Sequence, residues 1–227
     1  MTALTFTVVG RDEPLVLESY RAYVAGYTGR DAAAVQHHID ELAAIGVAPP
    51  PEVPMFYDVE PSTVSQAAAF DDNPTLTSGE VEPLYVRAGG RYYLGVGSDH
   101  TDRDLERDDI RDSKRACPKP VGTTLVPIDD LGSFSLDALT ARSWVDDRLY
   151  QEGALTGLRE PADVLGRLLA KGVVGDDEDL VVLGGTVPLL DGAFTAGGTW
   201  TLEIEGADGI RLTHQYAMNA TKGQEQR

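Results

Sequence analysis

The sequence is short of cysteine and of positive charge. A single cysteine, Cys117, rules out any disulfide within the 227-residue chain and points to a reducing compartment. Nineteen Lys and Arg stand against 37 Asp and Glu, a formal net charge of −18, and a field of that sign repels phosphate backbones and anionic lipid surfaces alike. No apolar run approaches the roughly 18 residues needed to span a bilayer. The opening Met1-Thr2-Ala3-Leu4-Thr5-Phe6-Thr7 lacks the basic start and apolar stretch of a secretory signal. The expectation is a soluble, cytoplasmic protein with no nucleic-acid partner and no membrane contact.

What is present suits a globular enzyme-sized body. With 42% hydrophobic and 25% charged residues, the chain can bury a core without metal or disulfide staples. A single domain over residues 1–218 is expected, with 1–26 as an N-terminal strand and lead-in and 219–227 as a flexible tail. Leu4 to Val9 alternates and reads as a strand, whereas Leu15 to Tyr27 fits helix or strand equally. Asp31 caps a helix to Ile45, with Val35, His38, Ile39, Leu42 and Ile45 at helical spacing and Gly46 as its stop. The prolines from Pro49 to Pro54 force an extended connector into a strand at Met55-Phe56-Tyr57, and Asp71-Asp72-Asn73-Pro74 reads as a turn. A hairpin runs from Glu80 to Arg87 and back from Arg91 to Gly97 through Ala88-Gly89-Gly90. Thr101 to Arg115 reads as a polar helix and Glu160 to Lys171 as an amphipathic one. Further strands fall at Thr124 to Pro127, Leu139 to Val145, Leu180 to Leu183, Thr199 to Ile204 and Ile210 to His214. The class is therefore α+β and β-rich.

Four places could carry chemistry. Glu80 and Glu82 share one face of their strand, and the hairpin returns Asp99 to the same edge. Three carboxylates there are either a solvated acidic face or the oxygen ligands of a hard cation such as Mg²⁺ or Mn²⁺. His38 and Glu41, three apart on a helix, are either a surface pair or a general base with its orienting carboxylate. Lys114, after the acidic stretch Asp99 to Asp112, is a surface salt-bridge partner or a charge for a substrate carboxylate or oxyanion. Gly184-Gly185-Thr186-Val187-Pro188 ends a strand as a bulge or as a place where backbone meets ligand. Cys117 has no activating partner in the sequence and reads as non-catalytic.

In order along the chain, these segments resemble the fumarylacetoacetate hydrolase superfamily. Gly29-Arg30-Asp31 with His38-Ile39-Asp40-Glu41 resembles its N-Y-x-x-H-x-x-E stretch, Pro54-Met55-Phe56 its P-x-x-F link, and Glu80-Val81-Glu82 its E-x-E strand. Ser98-Asp99-His100-Thr101-Asp102-Arg103-Asp104-Leu105-Glu106 is similar to its N-D-x-S-x-R-D-L-Q turn and is the most specific match. Val145 to Gly153 resembles V-N-G-x-x-x-Q-x-G, Gly184 to Pro188 resembles T-G-T-P, and Ala196 to Gly206 resembles the closing P-G-D…E-I-E-G. Asp31 and Ala32 stand where the family has N-Y, Ser98 where it has asparagine and Gly184 where it has threonine, so the resemblance is to a divergent branch.

The resemblance implies mixed β-sheets rolled into a barrel-like core, usually as a homodimer, with Mg²⁺ or Mn²⁺ on Glu80, Glu82 and Asp99. It assigns His38 as water-activating base, Glu41 as its orienter and Lys114 as the partner of substrate charge, with Arg30, Arg103, Gly185 and Thr186 along the substrate. The implied activity is cleavage of a C–C bond in a small dicarbonyl or 2-oxo acid, by hydrolysis or decarboxylation through a metal-stabilised enolate. Hydratase or isomerase chemistry on the same fold, or metabolite binding without turnover, are its alternatives.

Overall fold

Two β-sheets make up most of the protein. The computed structural model describes residues 3–44, 48–71, 76–206 and 209–219, the side chains of Glu41 and Leu42 excepted. The larger sheet has eight strands, in the order Leu15–Leu17, Leu4–Val8, Thr124–Ile128, Arg91–Ser98, Val81–Ala88, Leu180–Leu183, Arg21–Gly26 and Met55–Val59. It is mixed, with parallel pairing between its second and third and its sixth and seventh members, and it curls into a half-barrel. The smaller sheet orders Arg148–Ala154, Leu139–Val145, Thr199–Gly206, Arg211–Asn219 and Ala69–Asp71. Two short ribbons join Thr101–Asp102 to Thr77–Ser78 and Lys119–Pro120 to Val64–Ser65. Among the described residues there are three α-helices: α1 (Ala32–Ala44), α2 (Ile110–Arg115) and α3 (Pro161–Ala170).

The central strands of the larger sheet are buried on both faces, which explains why they read as near-continuous apolar runs. Alternation sorts their side chains between two cores. Val81, Tyr85, Leu94, Val96, Leu180 and Val182 face the smaller sheet and α3, against Trp200, Leu202, Ile204 and Val164. Leu84, Val86, Tyr93, Val181 and Leu183 point the other way, into the half-barrel with Phe6, Leu17, Val24 and Leu125. Glu82 shares its parity with Leu84 and Val86, so a carboxylate stands at the end of an apolar row.

The expected hairpin is present, its turn at Gly89 and Gly90 with φ of 53° and 76°. Asp31 caps α1 by accepting N–H groups of Ala33 and Ala34 at 2.9 and 3.2 Å. The ambiguous stretch from Leu15 resolves into two strands. Of the polar helix expected over 101–115, only its last six residues, Ile110–Arg115, are α-helical. Thr101–Asp102 is drawn into a ribbon, Asp102 Oδ1 takes the N–H groups of Asp104 and Leu105 to start a single 3₁₀ turn, and Asp109 caps a six-residue α2. Asp102 and Asp109, within the expected helix, serve instead as caps that break the segment up. Asn219 ends a strand, and 220–227, the expected stop at Gly46 and residues 72–74 of the expected turn lie outside the described residues. Among the described residues no helix is long and apolar enough to cross a membrane.

Candidate active site

The hairpin register brings the first constellation together. Glu82 lies opposite Gly97, and the Asp99 N–H donates to the Glu80 carbonyl at 3.1 Å, so both glutamates and the aspartate meet at one end of the sheet. Glu82 and Asp99 are only 3% and 1% exposed, which removes the solvated-face reading for these two. Buried carboxylates need partners. Asp99 finds two: Lys114 from α2 pairs with Oδ2, and Lys119 stands 3.3 Å from Oδ1. Burial would raise the Asp99 carboxyl, but Lys114, Lys119 and Arg103 outweigh it and hold the group below the usual carboxylate range. Burial would likewise lower the Lys114 ammonium, yet Asp99, Glu106 and Glu80 hold it above the usual range.

Glu82 is treated differently. Its Oε2 accepts the Gly185 N–H at 2.8 Å, and among the described residues no cation pairs with it directly. Burial and then the charge of Asp99 push its carboxyl well above the usual range, against the opposing pull of Lys114 and the Gly185 N–H. Gly185 approaches this closely because it has no side chain. Its φ is +103°, and a Cβ there would lie 1.8 Å from Thr28 Oγ1.

The remaining expected residues divide. Arg103 sends its donors to Ser78 Oγ at 2.7 Å, Glu106 Oε2 at 2.8 Å and Glu80 Oε2 at 3.0 Å, with the Phe194 ring 3.8 Å over its guanidinium. It therefore organises carboxylates rather than offering free donors to a substrate. The Thr186 hydroxyl donates to Val81 O at 2.8 Å and accepts from Gln151 Nε2 at 2.8 Å, so it too is engaged in holding the wall. Arg30 runs to Leu158 O, Glu160 and Asp137, tying the approach to α1 onto the start of α3. His38 lies on the exposed face of α1, its ring 6.4 Å from that of Tyr27. The side chain of Glu41 lies outside the described residues.

Tyr27 links His38 to the buried charges. Burial raises its hydroxyl pKa, which also responds to Lys114 and Glu106, as does that of Tyr57. The Lys114 ammonium lies 5.7 Å from the centroid of the Tyr57 ring. Tyr57 and Glu106 also line a cleft of about 200 Å³, together with Pro49, Pro50, Met55 and Ile110. Tyr57 and Glu106 thus stand between the carboxylate–lysine cluster and an open cleft large enough for a small acid.

The partners of these carboxylates decide how well the set suits a divalent cation. Glu82 has a buried carboxylate lacking a direct counter-charge, and Asp99 Oδ1 is buried with the Lys119 ammonium 3.3 Å away but no hydrogen bond. Hard oxygens of this kind match Mg²⁺ or Mn²⁺. Glu80 is committed to Arg103, and among the described residues no three His, Cys, Asp or Glu side chains are gathered to hold an ion. A hard cation here would have two carboxylates, Glu82 and Asp99, and would take the rest of its shell from water or substrate, an arrangement Mg²⁺ commonly accepts.

Sequence reasoning missed Lys119, Tyr57, Tyr27 and Gln151. Gln151 accepts Val81 N–H at 2.9 Å and the Ser143 hydroxyl at 2.8 Å, and donates to Thr186 and to Val187 O at 2.7 Å. Lys119 had one signal, a lysine between Pro118 and Pro120 in a stretch that can only be extended.

The fold is shared with several solved enzymes. Fumarylpyruvate hydrolase from Pseudomonas aeruginosa, solved with Mn²⁺ and pyruvate, superposes with a TM-score of 0.62 at 17% identity over 96% of this chain and 97% of its own. The 5-carboxymethyl-2-hydroxymuconate delta-isomerase of Mycobacterium smegmatis gives 0.59 at 16% identity, over 94% and 87%. A 2-keto-3-deoxy-D-arabinonate dehydratase gives 0.59 at 15% identity, over 93% and 78%. No curated protein matches the chain in sequence. Residues 25–216, which hold every site residue named above, match the family model described as protein of unknown function DUF2848, and the chain belongs to that family, a divergent one built on the fumarylacetoacetate hydrolase fold.

Proposed function

We propose that the protein is a divalent-metal-dependent enzyme that cleaves a C–C bond in a small dicarbonyl or 2-oxo acid, by hydrolysis or decarboxylation. One observation carries the reading: Glu82, Asp99 and Lys114 form a buried charged cluster whose lysine faces Tyr57, which with Glu106 walls an open cleft. Glu82 and Asp99, with Glu80 beside them, would hold Mg²⁺ or Mn²⁺. When bound, the ion supplies Lewis-acid polarisation of the substrate's paired oxygens. Lys114, held cationic by its carboxylate neighbours, presents the charge that a substrate carboxylate requires. Arg103 fixes Glu80 and Glu106, and the Gly185 N–H fixes Glu82, so these groups are oriented before substrate arrives. His38 accepts a proton from water at the solvent side, with Tyr27 against its ring and Glu41 three residues on as the proposed orienter.

The test uses metal-free protein with acylpyruvates and oxaloacetate, supplied with Mg²⁺ or Mn²⁺. Turnover should need the ion and should vanish in His38→Ala with the melting temperature unchanged, because His38 is exposed. Calorimetric heats of ion binding should vanish in Glu82→Gln. Equal heats in wild type and Glu82→Gln would remove the metal site, and undiminished turnover in His38→Ala would remove the base.

A further inference from the structure

Lys119 is the buried charge that the reaction outlined above leaves without a task. It is fully buried, in an extended segment pinned by Pro118 and Pro120 and paired in parallel with Val64–Ser65. Its ammonium donates to the His100 carbonyl and, at 3.3 Å, to the Cys117 carbonyl, and its remaining side faces Asp99 Oδ1 at 3.3 Å. Lys114 meets the same carboxylate from a short helix beside the cleft, where its ammonium also faces the Tyr57 ring. The two lysines therefore differ in kind: Lys114 faces Tyr57, a wall residue of the cleft, while Lys119 is anchored by two carbonyls behind the carboxylate.

We propose that Lys119 sets the cation affinity of the site, as a fixed internal positive charge that every divalent guest at Asp99 must share the carboxylate with. The inference rests on the reading of Glu82 and Asp99 as cation ligands. Around the cluster, Glu80, Glu82, Asp99 and Glu106 are set against Arg103, Lys114 and Lys119, so one negative charge is left over when all seven are ionised. A divalent ion reverses that sign and leaves room for one substrate carboxylate. Without Lys119, the ion alone would neutralise the surplus, and the site would hold metal tightly whether or not an anionic substrate was present. With Lys119, metal held alone is weak, and metal and anionic substrate favour one another.

The test is calorimetric titration of Mg²⁺ and Mn²⁺ into metal-free wild type, Lys119→Met and Lys119→Gln, the last retaining a donor for the two carbonyls. Repulsion between a unit charge and a divalent ion a few ångströms apart is worth about tenfold in Kd even at the dielectric constant of water. Both variants should therefore bind Mn²⁺ at least about tenfold more tightly, and added pyruvate should tighten Mn²⁺ binding less in the variants than in wild type. Unchanged or weaker binding in variants that keep the wild-type melting temperature would overturn the proposal while leaving the metal site intact. Binding by none of the three proteins would overturn it together with the reading on which it rests.

Discussion

Replacing Gly185 by alanine tests the wall of the site directly. The native φ of +103° lies in a region that costs an L-residue about 1–3 kcal/mol. The new Cβ would also sit 1.8 Å from Thr28 Oγ1, 3.1 Å from Thr28 Cβ and 3.6 Å from Leu158 Cδ2. Thr28 is buried, so the overlap is relieved only by moving backbone, a further cost of about 1–3 kcal/mol. The sum, about 2–6 kcal/mol, corresponds to a melting temperature lower by roughly 4–24 °C for a chain of this size. Urea unfolding at neutral pH with Gly185→Ala, Thr28→Ala and the double variant separates the two contributions. The Thr28→Ala background should reduce the cost of the alanine by about 1–3 kcal/mol, the steric share, and leave the conformational share in place. A single-variant cost under about 1 kcal/mol, or strict additivity in the double variant, would refute the assignment of Gly185 as a position closed to side chains.

Gln151→Leu should cost about 3–5 kcal/mol in the same assay, because it strands four buried hydrogen-bonding partners, and a loss under about 1 kcal/mol would show that the network is dispensable. His100 is pushed down to about 3 by burial and by the charges of Lys119 and Arg103, against the opposing effect of Asp99. A histidine free to protonate near 6.5 in the unfolded chain then takes up a proton that the native state refuses, so stability should fall as pH drops from about 6.5 towards 3. His100→Phe should flatten that decline in urea midpoints measured across the range, and parallel curves for the two proteins would exclude His100 as its source.

The parts of this molecule that local pattern specifies were legible before the structure. The Gly89-Gly90 turn and its flanking apolar strands define the register that places Glu82 opposite Gly97 and Asp99 beside Glu80, so the core of the site followed from a hairpin. Asp31 announced α1 by the same local chemistry. What stayed hidden depends on distant partners. Thr101–Asp102 forms a ribbon only because Thr77–Ser78 lies alongside, and Lys119 meets Asp99 only because its segment pairs with Val64–Ser65. Short bridges of this kind have no periodicity to read, and helix propensity in an acidic stretch gave the wrong element in their place. Likewise, nothing in the spacing of Arg103 reveals that its donors are consumed by Glu80, Glu106 and Ser78.

Gln151 belongs to the five-stranded layer, yet it grips the amide that opens the strand carrying Glu82. The gap between the layers is therefore gauged at the very residue next to the proposed metal carboxylate. Trp200 and Leu202 fill that gap. Replacing Trp200 by phenylalanine or Leu202 by valine would loosen the packing that sets this gap beneath the strand carrying the glutamate. Such core variants should lose stability by about 1–4 kcal/mol and should also lose turnover at temperatures well below their lowered unfolding midpoints, which makes the thickness of the sandwich a control on the chemistry at its edge.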